Sequence, residues 1–193
     1  MPNMHDYLLW RGDLSLNSSP FCEIDDMILA RFSYMPFSKI KLCNVETIET
    51  ISKKLENFKD EDFSYHGDKE LIKLMGKSTR FKNMHITDFV SHTDTKIEKQ
   101  FAAITIHIDD NNMYISFNGT DDTLVGWKED FNLSFMENIP SHIEGKNYLK
   151  AQAQKNDKFI RLGGHSKGRT YCYLFRNKCR KKYSRQNNFS QKL

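Results

Sequence analysis

The sequence predicts an α/β fold in which helices flank a central sheet. Two patterns carry that prediction. Apolar residues recur at helical spacing through the first 75 residues, whereas residues 101–108, 113–117 and 158–162 form short β-rich runs with helical patterns between them. The length supports a single core: 193 residues, 38% hydrophobic and 28% charged, carry no Pro/Gly/Ser linker that would divide the chain.

Residues 23–34, EIDDMILARFSY, place Ile24, Met27, Ile28 and Phe32 on one helical stripe, with acids at the front where they favour the helix dipole. Asn44 is the expected cap of a second helix, whose stripe is Ile48, Ile51, Leu55 and Phe58. A third helix is expected over 68–75, stopped by Gly76. Residues 101–108 and 113–117 are separated by DDNN, turn chemistry that predicts a hairpin. Helices are expected over 124–131 and 141–154, and KFIRL at 158–162 reads as a buried strand bounded by Gly163 and Gly164.

That last strand runs into GHSKG, which matches G-x-S-x-G: Gly164, His165, Ser166, Lys167 and Gly168. A serine at a sharp strand-to-helix turn needs small neighbours where backbones approach, and this places Ser166 as a nucleophile. Gly164, His165 and Gly168 are then the structural residues of the elbow. A phosphate loop would need Gly-Lys followed at once by Ser or Thr, but Lys167 is followed by Gly168. An oxyanion needs two donors. Lys167 supplies one through its backbone N–H, and the strand end at Asn118, Gly119 and Thr120 is the candidate for the second.

FNGTDDTLVGWKEDFN followed by LGGHSKG, together with DYLLWRGDLS and residues 20–34, resembles an uncharacterised bacterial lipase-like family related to the class 3 lipases. The resemblance covers almost everything through Gly168. It implies an incomplete α/β-hydrolase-like three-layer fold, ester hydrolysis through an acyl-serine, and Thr120 with Lys167 as the oxyanion hole. Position 118 is Asn where the family pattern FRGT has Arg, and position 169 is Arg where a second Gly is usual.

Such hydrolases place the acid and the histidine after the serine. Here no Asp, Glu or His follows Ser166. Of the upstream histidines, His107 and His165 read as structural, and His85 and His92 as surface loop residues. Asp121, Asp122, Glu129 and Asp130 form an acidic cluster of the kind that suggests a cation site, but helix-front charges explain the first two more simply. Eight of the 29 basic residues and none of the 25 acidic ones lie beyond Gly168, so the body carries −4 and the tail the positive charge. The reading is therefore residues 1–168 as the N-terminal part of a hydrolase-like domain and residues 169–193 as a basic, non-native or disordered tail. One account of that tail is a frameshift near codon 169, which the nucleotide sequence of the locus would test.

These features predict an inactive, lipase-like hydrolase fragment that needs no cofactor or metal and whose relatives take a small ester or lipid-like substrate. The rival reading is a non-catalytic protein whose tail, with Tyr171, Tyr173, Tyr183 and Phe189 among its basic residues, binds nucleic acid or an anionic membrane. A disordered tail is the commoner case, so neither nucleic acid nor a membrane surface is the expected partner. Four scattered cysteines without a C-x-x-C pair, and no signal-like start, place the chain in the cytoplasm.

Overall fold

The computed structural model describes residues 2–176. Five strands form one sheet in chain order: β1 (Glu46–Thr47), β2 (His85–Asp94), β3 (Lys99–His107), β4 (Asn112–Phe117) and β5 (Phe159–Gly164). The first four are antiparallel neighbours, and β5 lies parallel to β4 with Gly164 opposite Phe117. Antiparallel strands can be joined by turns. The β3–β4 turn is fastened by Asp109 Oδ1, which accepts from the N–H groups of Asn111 and Asn112 at 2.7 Å each. A parallel neighbour needs a crossover, and α5 (Leu124–Asn132) with α6 (Pro140–Lys155) provides it.

Alternation along the central strands builds two cores. Ile104, Ile106 and Tyr114 face the helices α1 (Met4–Arg11), α2 (Glu23–Phe32), α3 (Ile48–Leu55) and α4 (Asp68–Lys77). Phe101, Ala103, Met113, Ile115 and Phe117 face α6 and α7 (Lys167–Arg176). Helices therefore cover both faces of a mixed sheet, as expected of an α/β fold.

Several local expectations need correction. Ile24 and Met27 point outward, 40% and 58% exposed, and α2 instead buries Asp25, Ile28, Leu29 and Phe32. The stripe turned because Asp25 is held inside by Arg80, whose Nε donates to it at 2.6 Å while Nη1 donates to the Ser19 carbonyl at 2.8 Å. Helix α3 starts at Ile48, and its cap is Thr47, which accepts from Thr50 N–H; Asn44 lies outside it. Gly76 does not stop α4 but lies buried within it, where α3 comes so close that a Cβ would meet Ser52 Cβ at 2.3 Å.

His85 and His92 are not in a loop: both belong to β2, whose register with β3 shifts between Thr87 and Val90 around Asp88 at φ +52°. The expected boundary after Gly168 falls inside α7. Residues 169–176 continue this helix because Tyr171 and Phe175 share one of its faces and are buried, with Tyr171 stacked on Phe117 at 4.8 Å and 12°. Tyr171 is thus removed from any binding surface. Tyr173 is 57% exposed, while Tyr183, Phe189 and the rest of 177–193 lie outside the described residues. Among the described residues no helix is long and apolar enough to cross a membrane.

Candidate active site

Strand β5 ends at Gly164, and helix α7 begins at Lys167. Between them Ser166 adopts φ +57°, a left-handed conformation that costs a non-glycine residue on the order of 1–3 kcal/mol. The backbone on either side of it is tightly packed. A Cβ on Gly168 would stand 2.2 Å from the Phe117 carbonyl oxygen, and one on Gly164 would stand 2.6 Å from the Gly168 carbonyl and 2.7 Å from that of Phe117. The end of β4 and the first turn of α7 thus clamp the elbow. His165 and Ser166 are both exposed on it, and Gly168 N–H donates to the His165 carbonyl at 3.0 Å as the helix starts.

The segment after β4 folds against this elbow. A Cβ on Gly119 would lie 3.1 Å from Ser166 Cβ, so the backbone at Gly119 passes close beside the serine and leaves no room for a side chain. Asn118 donates from Nδ2 to the Ser33 carbonyl at 3.0 Å and moors the loop to the end of α2. Thr120 Oγ1 is buried and has no hydrogen-bond partner among the described residues. The loop leads into α5 through Thr123, whose hydroxyl accepts the Gly126 N–H at 3.0 Å. The structure thus brings Gly119 beside Ser166, with Thr120 next to Gly119 and Lys167 next to the serine along the chain.

Two functional candidates escaped the sequence reading. The Lys167 side chain is buried, and its Nζ donates to Glu129 Oε2, Gln100 Oε1 and the Gln100 carbonyl, each at 2.7 Å. Glu129 in turn accepts from Gln100 N–H at 3.0 Å and Ser141 N–H at 2.9 Å. This fully buried ion pair ties the elbow to α5, α6 and β3, so every ammonium proton and both carboxylate oxygens are used. Tyr34 is the second. It stands just beyond α2 with its hydroxyl between the two loops, accepting the Gly119 N–H at 2.6 Å. Spacing gave no signal for either, since both depend on segments distant in sequence.

The acidic cluster expected from sequence is split. Asp121 serves the α5 cap, accepting from Thr123 N–H at 3.0 Å, while Glu129 turns into the core. Among the described residues no group of three or more His, Cys, Asp or Glu side chains could hold a metal ion.

The histidines are engaged elsewhere: His107 with Thr87 Oγ1 at 3.1 Å, His92 with Glu144, and His142 Nε2 with Thr170 Oγ1 at 2.8 Å. Burial lowers the pKa of His142 and keeps its ring neutral, but its bond goes to Thr170. Among the described residues no histidine hydrogen-bonds to the Ser166 hydroxyl, whereas the Ser166 carbonyl accepts the Arg169 N–H at 2.9 Å.

Fold and site define a mixed α/β domain with a serine at a tight strand-to-helix elbow. The Mbeg1-like family model matches residues 75–184, more than half of the chain, and the chain belongs to that family. The match runs from the end of α4 through β2–β5, the 118–120 loop and the elbow, and it continues past Gly168. No curated protein and no solved structure matches the chain.

Proposed function

We propose that this chain is a lipase-like domain of the α/β-hydrolase type, built around Ser166 as the nucleophile for a small ester or lipid-like substrate. The observation that carries the reading is the serine's left-handed conformation between a strand and a helix, with the backbone at Gly119 close beside it. In the first step Ser166 Oγ would add to the ester carbonyl carbon while its proton passes to a base. The negative charge forming on the carbonyl oxygen would meet the Lys167 N–H and the donors of Thr120. Collapse would break the bond to the alkoxy oxygen, which takes up that proton and leaves as the alcohol. Water would then cleave the acyl-serine and release the acid.

Among the described residues no side chain is hydrogen-bonded to the Ser166 hydroxyl as a proton acceptor. No Asp, Glu or His follows Ser166, and the described histidines are bonded elsewhere or stand exposed. A serine hydroxyl without a base is a weak nucleophile. We therefore expect turnover of an activated ester roughly 10⁶-fold below that of a complete triad.

Imidazole in solution can stand in for the missing group because Ser166 is exposed. An alkyl fluorophosphonate should form one adduct on the Ser166 peptide by mass spectrometry, at a rate that rises with imidazole concentration and is lost in Ser166→Ala. An adduct pattern unchanged by that substitution would refute the reading.

A further inference from the structure

The most constrained polar contact at the elbow belongs to a residue outside the motif. Three groups converge on Gly119: a Cβ built there would meet the Tyr34 hydroxyl and the His165 carbonyl oxygen at 2.6 Å each, and Ser166 Cβ at 3.1 Å. Tyr34 Oη accepts the Gly119 N–H at 2.6 Å and lies 3.5 Å from the His165 carbonyl oxygen, toward which its proton points. One hydroxyl therefore spans the loop after β4 and the loop after β5.

We infer that Tyr34 is a positioning residue of the acyl-transfer site: its hydroxyl locks the Gly119 peptide plane and so fixes which backbone groups face Ser166. The inference rests on the proposed role of Ser166 and deepens it.

Three observations support it. Because the Gly119 N–H is taken by Tyr34, it is not available to an oxyanion, and the next donors along the loop are those of Thr120, whose hydroxyl is buried without a partner among the described residues. A peptide plane flipped at this point would turn a carbonyl dipole toward the forming negative charge. The tyrosine itself is rigidly held. Its ring is 8% exposed, meets Tyr65 edge-on at 5.4 Å and His165 at 6.3 Å, and Tyr65 is in turn capped by the Arg31 guanidinium at 3.7 Å. Burial pushes the Tyr34 hydroxyl up to about 12, so it stays protonated at any working pH and keeps both its donor and its acceptor role.

Tyr34→Phe removes the hydroxyl and leaves the ring stack in place. In ¹H–¹⁵N spectra the Gly119 amide proton should move upfield as it loses its short bond, with the melting temperature reported alongside. Imidazole-assisted fluorophosphonate labelling of Ser166 should slow by on the order of 10- to 100-fold, the range expected when reacting groups are misplaced by less than or about an ångström.

Gly119→Ala, which forces the three groups apart, should slow labelling similarly. The double variant should be no slower than the worse single one, because both act on the same peptide. Labelling at the wild-type rate in Tyr34→Phe, with the Gly119 resonance moved, would overturn the inference while leaving Ser166 as the nucleophile. An unaltered chain that shows no Ser166-dependent adduct would overturn both.

Discussion

Replacing Lys167 with methionine is expected to destabilise the domain by about 3–5 kcal/mol, the range seen when one partner of a buried ion pair is removed. The magnitude follows from what is left behind. Both side chains of the Lys167 and Glu129 pair are 0% exposed, and after the substitution the Glu129 carboxylate keeps the Gln100 and Ser141 N–H groups but no counter-charge. Gln100 loses the partner of its side-chain and backbone oxygens at the same time. Adding Glu129→Gln should recover part of the loss, because the stranded charge is what costs most; urea unfolding of the two single variants and the double measures this coupling. Equal stabilities for Lys167→Met and the unaltered chain would show that the buried pair does not form. The same lysine carries the N–H next to the serine, so the pair that holds the first turn of α7 also holds the proposed oxyanion donor.

Gly168→Ala is expected to destabilise the chain by roughly 1–3 kcal/mol or more, as overpacking against fixed atoms does. Helix propensity argues the other way, since alanine is favoured over glycine by about 1 kcal/mol within a helix. Contact decides the sign. The added methyl would lie 2.2 Å from the Phe117 carbonyl oxygen and 3.0 Å from the Asn118 carbonyl carbon, both backbone atoms of the sheet end and neither free to rotate away. The elbow would have to lift from β4, carrying Ser166 away from Gly119. A fall in melting temperature together with slower Ser166 labelling is the expected outcome, and a stabilised variant would contradict the clamp.

How much of this was legible in the sequence depended on whether local pattern or distant contact fixed each element. The turn at 108–111, the strand before GHSKG and the helix after Thr123 are set by nearby residues: Asp109 closing its own turn, the two glycines of the elbow, Thr123 capping its own helix. These were readable as elements, but the strand expected to be buried is not: β5 lies at the end of the sheet with Phe159 48% exposed and only Gly163 of its residues buried. Strand β2 was not readable, because much of HITDFVSHTD is polar and exposed, and the extra residue near Asp88 breaks its alternation. The face of α2 was misjudged because an aspartate held by an arginine 55 positions later outweighs two exposed apolar side chains.

The site divides in the same way. Ser166 announces itself through a five-residue motif. Tyr34 reaches Gly119 across 85 positions and Lys167 reaches Glu129 across 38, and no periodicity records such meetings. The residues after 168 were read as a tail because their charge dominates the composition, although Tyr171 and Phe175, one turn apart, were enough to extend α7.

The most direct test of the central claim is a crystal structure of the chain phosphonylated at Ser166. The phosphonyl oxygen is predicted to lie about 2.7–3.1 Å from the Lys167 N–H and from a donor of Thr120, the distance range at which oxyanion donors act. A phosphonyl group turned to solvent, with Thr120 and the Lys167 N–H bonded elsewhere, would contradict it.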